Sequence, residues 1–257
     1  MTDTPGAGPI TWRVATVAAV REETISARTL VLDVSGWPGH LAGQHVDVRL
    51  TAEDGYTAQR SYSLASEPST VELTVQRVPR GELSTWLCDT ALPGDQFEIR
   101  GPVGGYFVWS PQRSEPAGSG GHGPEPITLL AGGSGIVPLM AMIRTRAAKG
   151  SRVPFRLVYS VRDPDTLIYG DELMRRIRDD HGLDVTLVYT RETPQGWARP
   201  AGRLDAALLA EAGWPAEFQP ACYVCGPTGF VEAAADLLVA AGHDATRIRT
   251  ERFGPTS

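Results

Sequence analysis

Short apolar runs separated by turn residues fill the first part of the chain. They are rich in Val, Thr, Leu and Tyr, are separated by Gly, Pro and Asp, and fall at residues 12–20, 29–34, 45–50, 61–64, 71–75 and 97–99. Runs of this length and spacing are typical of antiparallel strands. We predict a six-stranded antiparallel β-barrel over residues 11–110, with a short helix beginning near Gly81 and an N-terminal tail at residues 1–10.

The pattern changes after residues 111–126, which are dense in Gly, Pro and Ser and are typical of a linker. Beyond them, apolar runs at 127–130, 155–161, 185–189 and 221–224 alternate with amphipathic segments at 137–148, 171–178 and 228–241. Strands that alternate with helices predict a doubly wound parallel α/β sheet over residues 127–257. A length of 257 residues with 42% apolar content is consistent with two domains.

Composition excludes several classes of function. The formal net charge of −6 argues against an overall nucleic-acid surface. Cys88, Cys222 and Cys225 are too few for a secreted disulfide framework or for an iron–sulfur cluster of the chain's own. No segment resembles a signal peptide or has the roughly 20 apolar residues of a membrane helix. We therefore expect a cytoplasmic protein without a bound metal.

A glycine-rich turn follows the first predicted strand of the second domain. Leu130 leads into residues 132–135, Gly-Gly-Ser-Gly, and Pro138 stands in the first turn of the next helix. Backbone amides in such a turn can bind a phosphate, and glycines let it approach closely. Pro138 replaces the third glycine of the dinucleotide fingerprint, and Ile136 breaks the spacing of a hydrolase nucleophile elbow. A tight connection without a ligand stays an equal alternative.

Two further motifs flank this turn: Arg60-Ser61-Tyr62-Ser63 precedes it, and Cys225-Gly226-Pro227 follows it. Together with the segments at 43–46, 81–84, 101–104 and 251–253, they make the chain resemble the ferredoxin–NADP reductase superfamily from Trp12 to Phe253. Each short motif is common, whereas the ordered set is specific. The resemblance implies a flavin-binding barrel followed by a nicotinamide-binding domain.

In the barrel, the resemblance makes Arg60 a partner of the flavin pyrophosphate and stacks Tyr62 on the isoalloxazine. Ser63 lies beside flavin N5 as a catalytic residue, and Gly81, Leu83 and Ser84 form the pyrophosphate-binding turn. A guanidinium fork suits phosphate oxygens, and a tyrosine ring offers a face to a flat heterocycle. FAD is favoured over FMN. Ser84 as an ordinary helix residue stays an alternative.

In the second domain, the resemblance assigns Gly133, Ser134, Gly135 and Pro138 to the dinucleotide. It places Cys225, as a catalytic residue, with Gly226 and Pro227 next to the nicotinamide. Glu251 is a candidate proton relay and Phe253 a candidate flavin contact, but the chain continues beyond the aromatic residue at which many relatives end, so both roles stay open. A Cys222–Cys225 redox pair is disfavoured, because residues three apart on a strand face opposite sides.

Coenzyme preference depends on the end of the strand predicted at 185–189. Thr190-Arg191 resembles the pair that holds the 2′-phosphate in NADP-specific members, so we expect NADPH rather than NADH. Arg162 is a candidate second phosphate contact. Glu192 is a complication, because it could accept from the ribose hydroxyls of NADH or pair with Arg191.

These features predict a flavin-dependent oxidoreductase that takes a hydride from NAD(P)H onto FAD in the cleft between the domains. The electrons then pass to a separate acceptor: a ferredoxin, a flavodoxin, a haem or molybdenum partner, or a small molecule. The alternative is an electron-transfer or nucleotide-binding regulatory subunit of a larger oxidoreductase complex.

Overall fold

The first part of the chain forms six antiparallel strands, along which buried and more exposed side chains tend to alternate. They are β1 (Trp12–Thr24), β2 (Ala27–Val34), β3 (His45–Thr51), β4 (Thr57–Ser63), β5 (Val71–Gln76) and β6 (Gln96–Val103). Their order in the sheet is β4-β3-β6-β1-β2-β5. An isolated antiparallel bridge connects Leu64, which directly follows β4, with Leu73 within β5, so the two edge strands meet. The predicted six-stranded antiparallel domain is confirmed.

A short helical segment lies between β5 and β6. It consists of α1 (Glu82–Thr85) and a π-helical turn (Trp86–Thr90). Leu83, Leu87 and Cys88 from this segment belong to the same buried cluster as Val46 and Leu73 of the sheet. Burial of these apolar side chains stabilises the segment against the sheet and explains why so short a helix forms.

The second part of the chain contains five parallel strands in the order β11-β10-β7-β8-β9. The strands are β7 (Ile127–Gly132), β8 (Phe155–Val161), β9 (Leu183–Tyr189), β10 (Ala221–Pro227) and β11 (Ile248–Phe253). The helices are α2 (Ile136–Ala148), α3 (Gly170–Asp179), α4 (Ala206–Ala212) and α5 (Thr228–Ala240). The predicted parallel α/β domain is confirmed, but β11 and α4 were not predicted. β11 buries only Ile248 among its six residues, and α4 has only seven residues, so neither gives a clear apolar period.

The strand order reverses direction at β7. From β7 the chain first builds β8 and β9 on one side and then returns to build β10 and β11 on the other side. In open parallel sheets, such a reversal leaves a crevice at the carboxyl ends of the strands, where ligands bind. The glycine turn at residues 133–135 lies at this position.

This computed structural model describes residues 10–52, 54–111 and 125–254. The described residues form two units: unit 1 extends to Trp109 and includes Met140–Ala148, and unit 2 contains the remainder. Most of the predicted tail at 1–10 and of the predicted linker at 111–126 lies outside the described residues. The sequence assigns all of α2 to the second domain. In the structure, Arg144 from its C-terminal part donates to the Ala65 carbonyl (2.8 Å) and to Glu72 (3.1 Å), both in unit 1.

None of the helices in the described ranges combines the length and the apolar character needed to cross a membrane.

Candidate functional site

The candidate flavin residues of unit 1 lie on the edge strand β4. Arg60 pairs with Val48 and Tyr62 with Val46, so their side chains share the face that carries the buried valines of β3. Arg60 is exposed, donates to the Gln59 carbonyl (2.7 Å) and forms no ion pair with a described residue. Tyr62 is half-buried against the core, and this burial raises the pKa of its phenol. A cation and a partly open aromatic ring therefore follow one another along the strand.

Ser63 ends β4 as a buried side chain whose hydroxyl has no hydrogen-bond partner among the described residues. Its strand neighbour His45 also pairs with Val103. Gln44 donates to the Gly104 carbonyl (2.7 Å) and accepts from the Leu41 amide (2.7 Å). The segments at 43–46, 60–63 and 101–104, which are distant in the sequence, therefore meet at this point.

An unpartnered buried hydroxyl costs roughly 1–3 kcal/mol unless a ligand atom satisfies it. Ser63 in this state fits a flavin, because the heteroatoms of an isoalloxazine edge would supply the missing partner. The chemistry of the neighbouring residues fits as well, since Arg60 suits a phosphate and Tyr62 a flat ring.

The turn at Gly81 uses its serine internally. The Ser84 hydroxyl accepts from the Val78 amide (3.1 Å) and donates to the Gly81 carbonyl (3.2 Å). A side chain at Gly81 would place its Cβ 2.5 Å from the Ser84 Oγ. Leu83 is buried in the core cluster. Among the three predicted residues of this turn, only backbone groups are therefore available to a phosphate.

The glycines of the unit 2 turn serve different purposes. A Cβ on Gly135 would lie 2.0 Å from the Cys225 carbonyl oxygen, and one on Gly132 would lie 2.7 Å from the Phe230 ring. A Cβ on Gly133 would meet nothing within 4 Å, although its φ of +54° favours glycine. Gly132 and Gly135 are thus required by chain packing, and Gly133 leaves open space for a phosphate. Ser134 is half-buried beside it.

Cys225 and Glu251 are neighbours on β10 and β11, and Gly226 and Pro227 extend the same pairing as far as Phe253. Burial raises the pKa of Glu251 to about 7, and its Oε2 has no hydrogen-bond partner in the described part of the chain. Burial, with the Glu251 charge second, raises the pKa of Cys225 well above its ordinary value, so this residue is a thiol. All three cysteines are free.

The loops that follow β8 and β9 bring the two candidate phosphate arginines together. The Arg162 carbonyl accepts from the Arg191 amide (2.9 Å) and from the Glu192 amide (3.1 Å), and the Thr190 amide donates to Val161 (2.8 Å). Both guanidinium groups are exposed, and neither forms an ion pair with a described residue, Glu192 included. Two exposed arginines therefore stand on adjacent, backbone-paired loops at the carboxyl end of the sheet.

Two aromatic residues near these positions were not predicted from the sequence. Trp197 is 41% exposed and packs edge-on against Tyr189, with 5.2 Å between ring centroids, beside the Arg191 loop. Phe230 packs on Gly132 and Gly226 at the ends of β7 and β10. An exposed tryptophan in a polar loop is a signal that could have identified the first. Phe230 could be identified only from the fold, because the residues on which it packs are glycines that are distant in the sequence.

Comparison with known families gives two matches that together cover most of the chain. Residues 16–108 match the oxidoreductase FAD-binding domain, and residues 129–236 match the oxidoreductase NAD-binding domain. The first match lies in the six-stranded sheet that carries Arg60, Tyr62 and Ser63. The second includes the glycine turn, the arginine loops and Cys225.

Among curated proteins, the chain is 32% identical over 218 residues to the glycine betaine monooxygenase reductase subunit of Pseudomonas aeruginosa, covering 83% of this chain and 56% of the relative. It is 34% identical over 247 residues to the ferredoxin reductase component of 3-ketosteroid-9-alpha-monooxygenase from Mycolicibacterium smegmatis, covering 92% and 64%. The chain thus spans less than two thirds of the length of these relatives.

Among solved structures, the cytochrome P450 reductase from Amycolatopsis superposes with a TM-score of 0.80 at 26% identity, covering 97% of this chain and 72% of that one. The FAD/NAD-binding domain of nitric oxide dioxygenase from Vibrio cholerae gives a TM-score of 0.79 at 24% identity, covering 95% and 99%. The second likeness is evidence of a shared fold.

Proposed function

Because the chain belongs to the ferredoxin–NADP reductase superfamily, with an FAD-binding domain followed by a NAD-binding domain, we propose that it passes electrons from a reduced nicotinamide dinucleotide, through FAD, to a separate acceptor. The observation that carries this proposal is the buried Ser63 hydroxyl without a partner among the described residues, on the strand that also presents Arg60 and Tyr62. FAD, when bound, supplies the ability to accept a hydride and to release electrons.

The residues of the chain bind and orient FAD and the nicotinamide dinucleotide, and one of them can hold a proton. Arg60 would hold the flavin pyrophosphate, Tyr62 would pack against the ring, and the Ser63 hydroxyl would bond to the flavin near N5. In unit 2, Gly133 admits the dinucleotide phosphates, and Glu251 provides a carboxyl group that can exchange a proton near neutral pH, because burial raises its pKa to about 7. Cys225, as a neutral thiol, contributes shape and a weak hydrogen bond.

We place the acceptor on another protein. The two curated relatives are named as reductase components of monooxygenases, so an oxygenase or its ferredoxin is the partner class we infer. One of these relatives is named a reductase subunit, so a second candidate is an electron-transfer subunit of a larger oxidoreductase. Steady turnover of the purified chain with a small-molecule electron acceptor supports a free-standing reductase, whereas a flavin that is reduced but not turned over supports the subunit.

The direct test of the proposal is the visible spectrum of purified protein before and after anaerobic addition of NADPH or NADH. We expect a bound-flavin spectrum that bleaches on addition of the coenzyme. Arg60→Ala should weaken flavin retention, because loss of a charge-assisted phosphate contact costs about 1.5–3 kcal/mol. Colourless protein that also fails to take up added FAD would refute the proposal.

We further propose that the enzyme prefers NADPH over NADH. The support is the pair of exposed arginines, Arg162 and Arg191, whose loops are joined by backbone hydrogen bonds and which are free of ion pairs with described residues. Two guanidinium groups attract a doubly charged 2′-phosphate, and Thr190 adds a hydroxyl donor. The adenosine ribose of NADH has no 2′-phosphate, so these positive charges do not strengthen its binding in the same way.

The test compares kcat/KM for NADPH and NADH in wild type and in Arg191→Ala. We expect the NADPH preference to fall by about tenfold or more, since a hydrogen bond to a charged group is worth about 1.5–3 kcal/mol. Arg178→Ala, an exposed arginine on α3, is the matched control and should leave the ratio unchanged. If Arg191→Ala changes the ratio by less than about twofold, Arg191 does not bind the phosphate.

A further inference from the structure

The face of β4 that carries the flavin residues continues beyond them. Side chains at alternate strand positions share a face, so Tyr62, Arg60, Ala58 and Tyr56 form a row with steps of about 7 Å. The pairing of Tyr62, Arg60 and Ala58 with Val46, Val48 and Leu50 confirms this face for three of them. Tyr56 directly precedes the first residue of the strand. The row therefore runs from an aromatic ring, past a cation and a small residue, to a second aromatic ring.

Tyr56 is held by a neighbouring element. Its ring is 58% exposed, and its hydroxyl donates to the Glu82 Oε2 (3.0 Å) at the start of α1. This hydrogen bond raises the pKa of Tyr56, so the phenol keeps its proton and acts as a donor. The bond fixes the Glu82 carboxylate beside Tyr56, with most of its acceptor sites still available.

We propose that Tyr56 and Glu82 form the subsite for the adenosine half of FAD. The order of the groups along β4 matches the order of the groups in FAD: flavin ring at Tyr62, pyrophosphate at Arg60, adenine at Tyr56. The exposed ring of Tyr56 supplies a stacking face for adenine, and the Glu82 carboxylate accepts from the ribose hydroxyls. This inference rests on the proposed function, because it takes FAD as the flavin of unit 1.

Electrostatics supports the assignment of Tyr56 to the adenine and of Glu82 to the ribose hydroxyls. A carboxylate aimed at the pyrophosphate would repel it, whereas a carboxylate aimed at ribose hydroxyls is a favourable acceptor. The Tyr56 hydrogen bond draws the Glu82 side chain toward the tyrosine. Glu82 therefore favours a flavin that carries a ribose diol and gives no advantage to one that ends in a phosphate.

The experiment uses protein from which flavin has been removed and measures its affinities for FAD and FMN by quenching of flavin fluorescence. FMN lacks adenosine and is the internal control for folding and for the flavin-ring site. Tyr56→Ala should weaken FAD binding by about tenfold or more, the usual effect of losing a base-stacking partner, and change FMN binding by less than about twofold. Glu82→Ala should show the same pattern, and Tyr56→Phe, which keeps the ring, should lose less than Tyr56→Ala.

Selective loss of FAD affinity supports the subsite. Equal losses for FAD and FMN, or unchanged FAD affinity in both alanine variants, overturn it while leaving the proposed function intact. Wild-type protein that binds neither flavin overturns the subsite and the proposed function together. Ile25→Ala, an exposed apolar residue between β1 and β2 of the same unit, is the matched surface variant and should bind both flavins as wild type does.

Discussion

At the scale of single residues, burial gives ordinary side chains unusual properties. Ser63 is a common residue type, but its hydroxyl is enclosed without a hydrogen-bond partner among the described residues. Glu251 is an ordinary acid in the sequence, yet burial raises its pKa to about 7, so that both protonation states are populated at neutral pH. Such perturbed groups concentrate at functional sites, since catalysis needs polar groups that water does not satisfy.

The first prediction concerns Ser63. Under the proposed function the Ser63 hydroxyl would bond to the flavin near N5, so Ser63→Ala should slow flavin reduction, measured by stopped flow, by about tenfold, the effect of losing an interaction made mainly in the transition state. The affinity for the nicotinamide coenzyme should stay within about twofold. Ser61→Ala is the matched control, since Ser61 lies on the same strand but donates to Asp47 (2.7 Å). An unchanged reduction rate in Ser63→Ala would remove this residue from the mechanism.

At the scale of elements, two turns in unit 2 contact each other through backbone. Gly135 precedes α2 and lies against the Cys225 carbonyl at the end of β10, and Phe230 of α5 covers Gly132 and Gly226. Because Gly135 has no side chain, its backbone can lie directly against the backbone of Cys225, and this contact fixes the separation of the ends of β7 and β10. At the strand reversal, glycines therefore set how closely these turns approach each other without themselves needing to contact a ligand.

The second prediction follows from this contact. Gly135→Ala should lower the free energy of unfolding by about 1–3 kcal/mol, because the added methyl group meets backbone that has no room to move. Urea unfolding followed by circular dichroism measures the change. Gly202→Ala in the same unit, where a Cβ meets nothing within 4 Å, should change stability by less than about 0.5 kcal/mol. Equal stability of the two variants would contradict the packing role of Gly135.

At the scale of the whole molecule, a buried histidine makes stability depend on pH. His40 is fully buried; Trp37 Nε1 donates to its Nδ1 (3.4 Å), and its Nε2 lies 3.2 Å from the Ser66 carbonyl. Burial lowers the pKa of His40 from 6.5 to about 4. Between these values the unfolded chain binds a proton that the folded chain does not bind, so the free energy of unfolding falls as pH falls from 6.5 toward 4.

The third prediction concerns how much of the free energy of unfolding is lost through His40 at low pH. Lowering the pH from about 7.5 to about 5 should remove about 2 kcal/mol of stability through His40 alone. His40→Gln should therefore lose about 2 kcal/mol less than wild type over the same interval in urea unfolding. His181→Gln, at an exposed position, should follow wild type. If His40→Gln shows the same pH dependence as wild type, the buried neutral histidine is not responsible.

The sequence by itself determined the two-domain architecture, and the structure confirms it. Short apolar runs with turn residues between them favour an antiparallel barrel or sandwich, and strands that alternate with helices favour a parallel sheet between helix layers. The ordered motifs also identified the family. Local pattern did not reveal β11, because a strand with one buried residue of six lacks an apolar period, and α4 was too short to show one.

Only the tertiary structure decided what individual site residues do. In the structure, the Ser84 hydroxyl makes hydrogen bonds within its own turn. Gly135 packs against backbone, whereas the space beside Gly133 is open. The structure also brings the Arg162 and Arg191 loops together. These outcomes depend on distances between segments that are far apart in the sequence. The sequence records which chemistry is available, whereas burial and the approach of distant backbone decide which groups remain free to use it.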